Sequence, residues 1–198
     1  MAAILGQPGR VLFLSEDPAL IVAQLAGREL SRAEAGKLRD DVSTDEITPP
    51  TTCLLYDERL GREVLIGLRT GERTPIAKDA LKGKFSVVAG GKRYGKGSSR
   101  EHAPLAHLHA GVQLIVAESF ERIFRQNADN LGLFTSTDFG LIEQAVEANA
   151  HQVLGASHVV LAYDSPACNL ALPITNYTGL MDSAALTRLG KNGTSKAI

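Results

Sequence analysis

The chain has 198 residues, 44% of them hydrophobic, and a formal net charge of −1, which is enough for one well-cored domain. A balance so close to neutral gives no electrostatic case for nucleic acid or an anionic membrane. The two cysteines, Cys53 and Cys168, are far apart and form no CxxC pair, so neither a disulfide framework nor a complete metal site can be built from them.

The opening residues, MAAILGQPGRVLFL, read as neither a signal peptide nor a membrane span, because Gln7, Pro8 and Arg10 interrupt the apolar run. A cytoplasmic chain is expected. Val11 to Leu14 reads as a strand. Asp17 as cap with Pro18 at the first helical position predicts a helix to about Leu30, and Ser31 with Glu34 predicts a short second one. Residues 1–38 thus read as an N-terminal strand and helix extension packed on the core.

Asp40 to Pro50 is polar, with Asp40, Asp41, Asp45 and Glu46 ahead of two prolines. Composition alone makes it a solvated loop. From Thr51 to Leu81 the glycines Gly61, Gly67 and Gly71 and Pro75 predict a mobile loop able to close over a ligand.

Phe85 to Pro104, FSVVAGGKRYGKGSSREHAP, joins an apolar strand to a helix through a loop holding Gly90, Gly91, Gly95 and Gly97 among Lys92, Arg93, Lys96 and Arg100. Backbone freedom and positive charge at a strand-to-helix junction suit a small anion. Ser98 and Glu101 have capping-box spacing, which would make Ser98 only a cap. Pro104 would then fall in the second turn, where its missing N–H costs about 3 kcal/mol, so a helix start near Arg100 or Glu101 is expected.

Two chemistries could use this loop. Gly90 to Lys96 matches most of a P-loop, which would make a nucleotide or phosphate-binding module, although Gly97 stands where a Ser or Thr should hold magnesium. The other is proton abstraction beside a carboxylate with a serine oxygen as base. That needs N–H donors, a helix terminus and a guanidinium to stabilise the alkoxide.

Beyond the loop, His102, His107 and His109 lack the spacing of a metal site. Val112 to Ala117 reads as a strand. Ser119 is expected to open a helix with Phe120, Ile123 and Phe124 on its core face and Arg122, Arg125 and Asn127 on its polar side. Gly132 ends it and Leu133 to Thr137 is a third strand of this half. A helix at Leu141–Ala150, strands at Val159–Tyr163 and Asn169–Ile174, a helix near Thr178–Leu189 and a frayed tail from Gly190 complete the prediction. Strands alternating with helices through short connections indicate an α/β fold with parallel neighbours.

GKGSSREHAP resembles the signature of the small, swivelling domain of the aconitase superfamily, in particular the separate small subunits of isopropylmalate isomerase and related hydro-lyases. DDVSTDEITPP and AESFERIFRQNADNLGL resemble the segments that precede and follow it in that family. The resemblance implies a single swivelling β/β/α domain over residues 39–190, a partly parallel sheet flanked by helices, with 191–198 as a tail. It implies Ser98 as catalytic base, with Ser99, Arg100 and Gly97 binding substrate, Asp45 as an active-site carboxylate, and Asn127 as a further substrate contact. It implies a small carboxylic acid as substrate and a large subunit as partner. That partner would carry a four-iron four-sulfur cluster, with no cofactor or metal in this chain. The same fold could also serve a non-catalytic subunit. Glu46 departs from the histidine common in aconitases at that place. Where full-length aconitases carry a substrate-binding arginine the chain has Asp57, with Arg59 and Arg62 nearby, and the role transfers to neither.

Overall fold

In a computed structural model, which describes residues 10–140 and 142 and the backbone of 168–169, the chain folds around one sheet. β1 (Arg10–Phe13), β2 (Phe85–Gly90), β3 (Leu114–Ala117) and β4 (Phe134–Ser136) lie side by side in that order, all parallel, and β5 (Cys168–Asn169) adds antiparallel to β4. A parallel sheet must be covered on both faces because its connections return as helices and loops. The sequence meets that demand with near-continuous apolar strands. Val88 and Ile115 turn to one core cluster with Leu12, Tyr94, Phe124 and Ala106, and Val87, Ala89, Leu114 and Val116 turn to another with Phe13 and Leu38.

The α/β architecture and these strands stand as the sequence predicts, with four elements corrected. The first helix, α1 (Pro18–Leu25), is capped by Asp17, whose carboxylate accepts from the Ala19 N–H at 2.8 Å. It ends well before Leu30, since Gly27 at φ +112° takes the chain out of the helix. Ser31 and Glu34 exchange the expected capping-box bonds, Ser31 N to Glu34 Oε2 at 2.8 Å and Glu34 N to Ser31 Oγ at 3.3 Å. They close only one turn, because Gly36 follows at φ +64°.

The third correction concerns residues 51–81. The single-turn helices Pro50–Thr52 and Leu60–Glu63 bracket an exposed tip, but Leu60, Val64, Leu65 and Leu68 are buried core residues. Gly61 and Gly67 are packing glycines: a Cβ on Gly61 would meet the backbone of His109 and Ala110, and one on Gly67 that of Asp45 and Glu46. A closing lid cannot include this part.

Finally, the helix after β3 begins at Arg122, not Ser119, and runs to Leu131 as α4. Ser119 instead accepts from the Arg93 and Tyr94 N–H groups, through Oγ at 2.9 Å and its carbonyl at 3.0 Å. Phe124 is buried and Phe120 packs against the core, while Ile123 is 43% exposed, one helical step away from the buried face. All but Ile142 of the predicted helix at Leu141–Ala150, the helix near Thr178–Leu189, the strand at Val159–Tyr163, all but the start of that at Asn169–Ile174, and the tail lie outside the described residues.

Candidate active site

The loop after β2 is held from below by the polar segment that composition alone makes a solvated loop. Asp40 Oδ1 accepts the Lys92 N–H at 2.7 Å, and Asp41 pairs with Arg93 at 2.6 Å and Lys96 at 3.7 Å. Gly91, Gly95 and Lys96 donate their N–H groups to the carbonyls of Arg39, Val42 and Val42. Together with the two bonds to Ser119, every N–H from Gly91 to Lys96 is therefore engaged within the protein. A phosphate-cradling loop needs those same groups free, so the P-loop reading loses its donors.

What remains open lies one step further on. Residues 43–46 form a capping box: Ser43 Oγ accepts the Glu46 N–H at 3.1 Å and Glu46 Oε2 accepts the Ser43 N–H at 2.8 Å, opening a single turn, α2 (Thr44–Ile47). The S-x-x-E pattern that signals it is plain in the sequence, although it was not among the predicted caps. Glu46 Oε1 also accepts from Arg39 at 2.8 Å and from the Arg69 N–H at 3.1 Å, so the residue that replaces the aconitase histidine is an anchor for α2.

That turn runs beside the serine loop. The Thr44 N–H donates to Lys96 O at 2.8 Å and Thr44 Oγ1 accepts the Ser98 N–H at 3.1 Å. The Ser98 N–H is thus engaged, but the N–H groups of Gly97 and Ser99 have no partner among the described residues. Gly97 sits at φ +109°, a conformation that only glycine adopts cheaply.

The next helix, α3 (His102–Ala110), starts with Glu101 at its cap position and no side-chain cap bond. Ser98 is therefore not its cap, and Pro104 falls in the first turn, where its missing N–H breaks no bond. Ser98 and Ser99 are exposed, and Ser98 Oγ has no hydrogen-bond partner among the described residues. Arg100 reaches back to α2 through Nη1 alone, pairing with Asp45 and donating to Thr48 O at 3.3 Å. Its side chain is 21% exposed against 63% for Asp45. Nε and Nη2 have no partner among the described residues, so two donors of the guanidinium fork remain for a ligand.

Ser98, Ser99, Gly97, Arg100 and Asp45 therefore come together. Asn127 lies on α4, one turn beyond Phe124, half-buried, with no hydrogen bond to the serine loop among the described residues. Arg59 pairs with neighbouring Asp57, and Arg62 makes two bonds to Asp79 at 2.7 and 2.8 Å, so neither is poised over the loop. Among the described residues no group of three His, Cys, Asp or Glu could hold a metal.

Beneath the loop lies a feature that the sequence does not announce. Tyr94 is fully buried, its ring against Phe120, Phe124 and His107 with centroids 6.1, 5.4 and 6.0 Å away. Its hydroxyl lies 2.9 Å from His107 Nε2, and His107 Nδ1 lies 2.8 Å from Ala103 O. Desolvation lowers the His107 pKa to about 4 and, with the charge of Glu46 adding to it, raises that of Tyr94 well above the ordinary phenol value. Both are neutral near pH 7.

Comparison with known proteins gives the chain a family. The aconitase C-terminal domain family matches residues 69–137. Over 154 residues the chain is 31% identical to the 3-isopropylmalate dehydratase small subunit of Nitratidesulfovibrio vulgaris (strain DP4), covering 77% of this chain and 89% of that subunit. The chain belongs to the 3-isopropylmalate dehydratase small-subunit family. Within it, identity is 41% over 98 residues to the small subunit of Hydrogenobaculum sp., covering 49% of this chain and 56% of the relative, so that match spans only about half of each. It is 37% over 128 residues to the isopropylmalate/citramalate isomerase small subunit of Methanocaldococcus jannaschii, covering 64% and 72%. A crystal structure of 3-isopropylmalate dehydratase from the same archaeon is 37% identical and covers 48% of this chain and 55% of that one, with a TM-score of 0.40. Members of this family are subunits of hydro-lyases of the aconitase superfamily.

Proposed function

We propose that this chain works with a large subunit to isomerise a branched hydroxy acid of the 3-isopropylmalate type, by removing water and adding it back, and that it supplies the base and the carboxylate grip. The observation that carries this reading is the exposed Ser98 beside an Arg100 whose guanidinium is steadied on one side by Asp45 and Thr48 O and open on the other.

Ser98 Oγ takes the proton from the carbon next to the substrate carboxylate as the hydroxyl leaves the adjacent carbon, where a cluster of the large subunit would receive it as Lewis acid, and the proton is given back when water adds again. A serine hydroxyl is a weak acid, so its alkoxide needs stabilisation. The Ser99 and Gly97 N–H groups, the start of α3 and the Arg100 charge supply it. Arg100 Nε and Nη2 hold a substrate carboxylate in two parallel bonds, and Asp45 keeps the guanidinium plane from turning. Asn127 is proposed as a further substrate contact once a partner covers α4.

An aconitase-type cluster is held by cysteine thiolates. Cys53 is partly exposed on the tip that follows Pro50–Thr52 and Cys168 lies in β5, and these two cysteines, far apart in sequence, are too few to hold such a cluster. This donor set does not fit a resident cluster, and we place the four-iron four-sulfur cluster in the large subunit. Among the described residues no helix is long and apolar enough to cross a membrane, and a cytoplasmic location is part of the proposal. So is the division into a swivelling unit at 39–190 and an N-terminal part at 1–38, although β1 of that part is itself a strand of the sheet.

The test is Ser98→Ala in the chain reconstituted with its large subunit. Turnover of 3-isopropylmalate should fall about 10²–10⁴-fold while the two chains still co-elute. A rate like that of the unaltered pair would remove Ser98 from the mechanism.

A further inference from the structure

The aromatic cage under the serine loop contains two polar side chains, Tyr94 and His107, and their protons can be placed from geometry. Ala103 O can only accept, so the 2.8 Å contact requires a proton on His107 Nδ1. A neutral imidazole then has an accepting Nε2, and the 2.9 Å contact requires the Tyr94 hydroxyl to donate to it. The result is a one-way relay, Tyr94 O–H to Nε2 and Nδ1–H to the carbonyl of Ala103.

Its two ends bracket the site. Tyr94 lies between Arg93 at φ +55° and Gly95 at φ +82°, four residues before Ser98. Ala103 lies in the first turn of α3, three residues after Arg100, and its N–H donates to Arg100 O at 3.2 Å. The stretch that carries Ser98, Ser99 and Arg100 is thus tied at both ends through one buried imidazole. Because Tyr94 and His107 are fully buried and packed against Phe120 and Phe124, the tie is held in one arrangement.

We propose that Tyr94 and His107 are positioning residues that fix the serine loop against the start of α3, and so set the placing of the Ser98 oxygen relative to the Arg100 guanidinium. This rests on the reading of Ser98 and Arg100 given above. It adds residues that touch no substrate, and it predicts a defect in turnover rather than in affinity.

The experiment uses the chain reconstituted with its large subunit and 3-isopropylmalate. Tyr94→Phe keeps the ring and removes the donor; kcat should fall about 10- to 100-fold with KM little changed, as for a small misplacement of a reacting group. The variant is also expected to unfold at a lower temperature, because Nε2 is left unpaired. Tyr94→Phe with His107→Leu removes the orphan and should regain stability but not kcat. His107→Gln, whose amide can accept from Tyr94 and donate to Ala103 O, should keep kcat within a few-fold of the parent. In the full chain at neutral pH, 15N NMR should show His107 neutral with its proton on Nδ1.

Recovery of both stability and kcat in the double variant would reduce the pair to packing and overturn the proposal. Full kcat in Tyr94→Phe, or a proton on Nε2, would do the same. Ser98→Ala in the same series separates the two levels: if it stays active the underlying mechanism falls, and if it is inactive while Tyr94→Phe is not, only the relay falls.

Discussion

Glu46 accepts from three donors, the N–H groups of Ser43 and Arg69 and the guanidinium of Arg39, while largely buried. Glu46→Ala should therefore lower stability by about 2 kcal/mol, the loss of a cap plus an orphaned partner, read from urea denaturation. Arg100→Lys should cost more than its charge conservation suggests: an ammonium cannot hold Asp45 and Thr48 O and still offer two parallel donors, so kcat/KM should fall about 10²-fold. For His107 the sign follows from its lowered pKa. Between about 6.5, the unfolded value, and about 4 the unfolded chain binds a proton that the folded chain does not. Stability therefore falls as pH drops through that window, by up to about 3 kcal/mol, and His107→Gln should flatten the decline in denaturation midpoints. The serines and Arg100 can be picked out in the sequence because they stand in one short contiguous motif, and Asp45 because it stands in a second, DDVSTDEITPP. Tyr94 and His107 cannot, since their meeting depends on how a left-handed loop folds under a helix, and thirteen residues of separation carry no periodic signal.

At the scale of elements, the strands β1 to β4 were readable because parallel strands buried on both faces are written as unbroken apolar runs. The segment at 60–68 was not. Its glycines look like turn formers, yet Gly61 is small because the backbone of His109 and Ala110 passes against it, and that neighbour is far away in sequence. Gly61→Ala should accordingly lower stability by about 3 kcal/mol, the upper end of what overpacking costs. Gly71→Ala, at φ +60° with open space around it, should cost only about 1 kcal/mol of backbone strain. Thermal denaturation of the pair would separate packing from turn geometry. The start of α4 is hidden for a related reason: Ser119 has the chemistry of a cap, but the loop after β2 claims its hydroxyl and carbonyl.

For the whole molecule, the near-neutral chain sets four of its 21 basic residues, Lys92, Arg93, Lys96 and Arg100, along one loop and pairs the last three with Asp41 and Asp45. With the N–H groups from Gly91 to Lys96 engaged, the isolated chain should bind no magnesium–ATP at millimolar concentration in equilibrium dialysis. Saturable binding would revive the phosphate reading. An exposed serine and an open guanidinium make half of the proposed catalytic centre, which is why activity is expected only on mixing with the large subunit.

Gly90 offers a last point about how this chain can change. A methyl at that position would come within 2.6 Å of the Tyr94 ring, so the last residue of β2 and the buried phenol occupy one shared volume. Neither can drift on its own: a lineage that enlarges position 90 must first, or at once, shrink position 94 and give up the phenol's bond to His107. Apart from His107→Gln, which keeps both bonds, substitutions at these three sites should be tolerated as sets and rejected singly, and a combinatorial library over them would show survivors clustered in a few joint solutions.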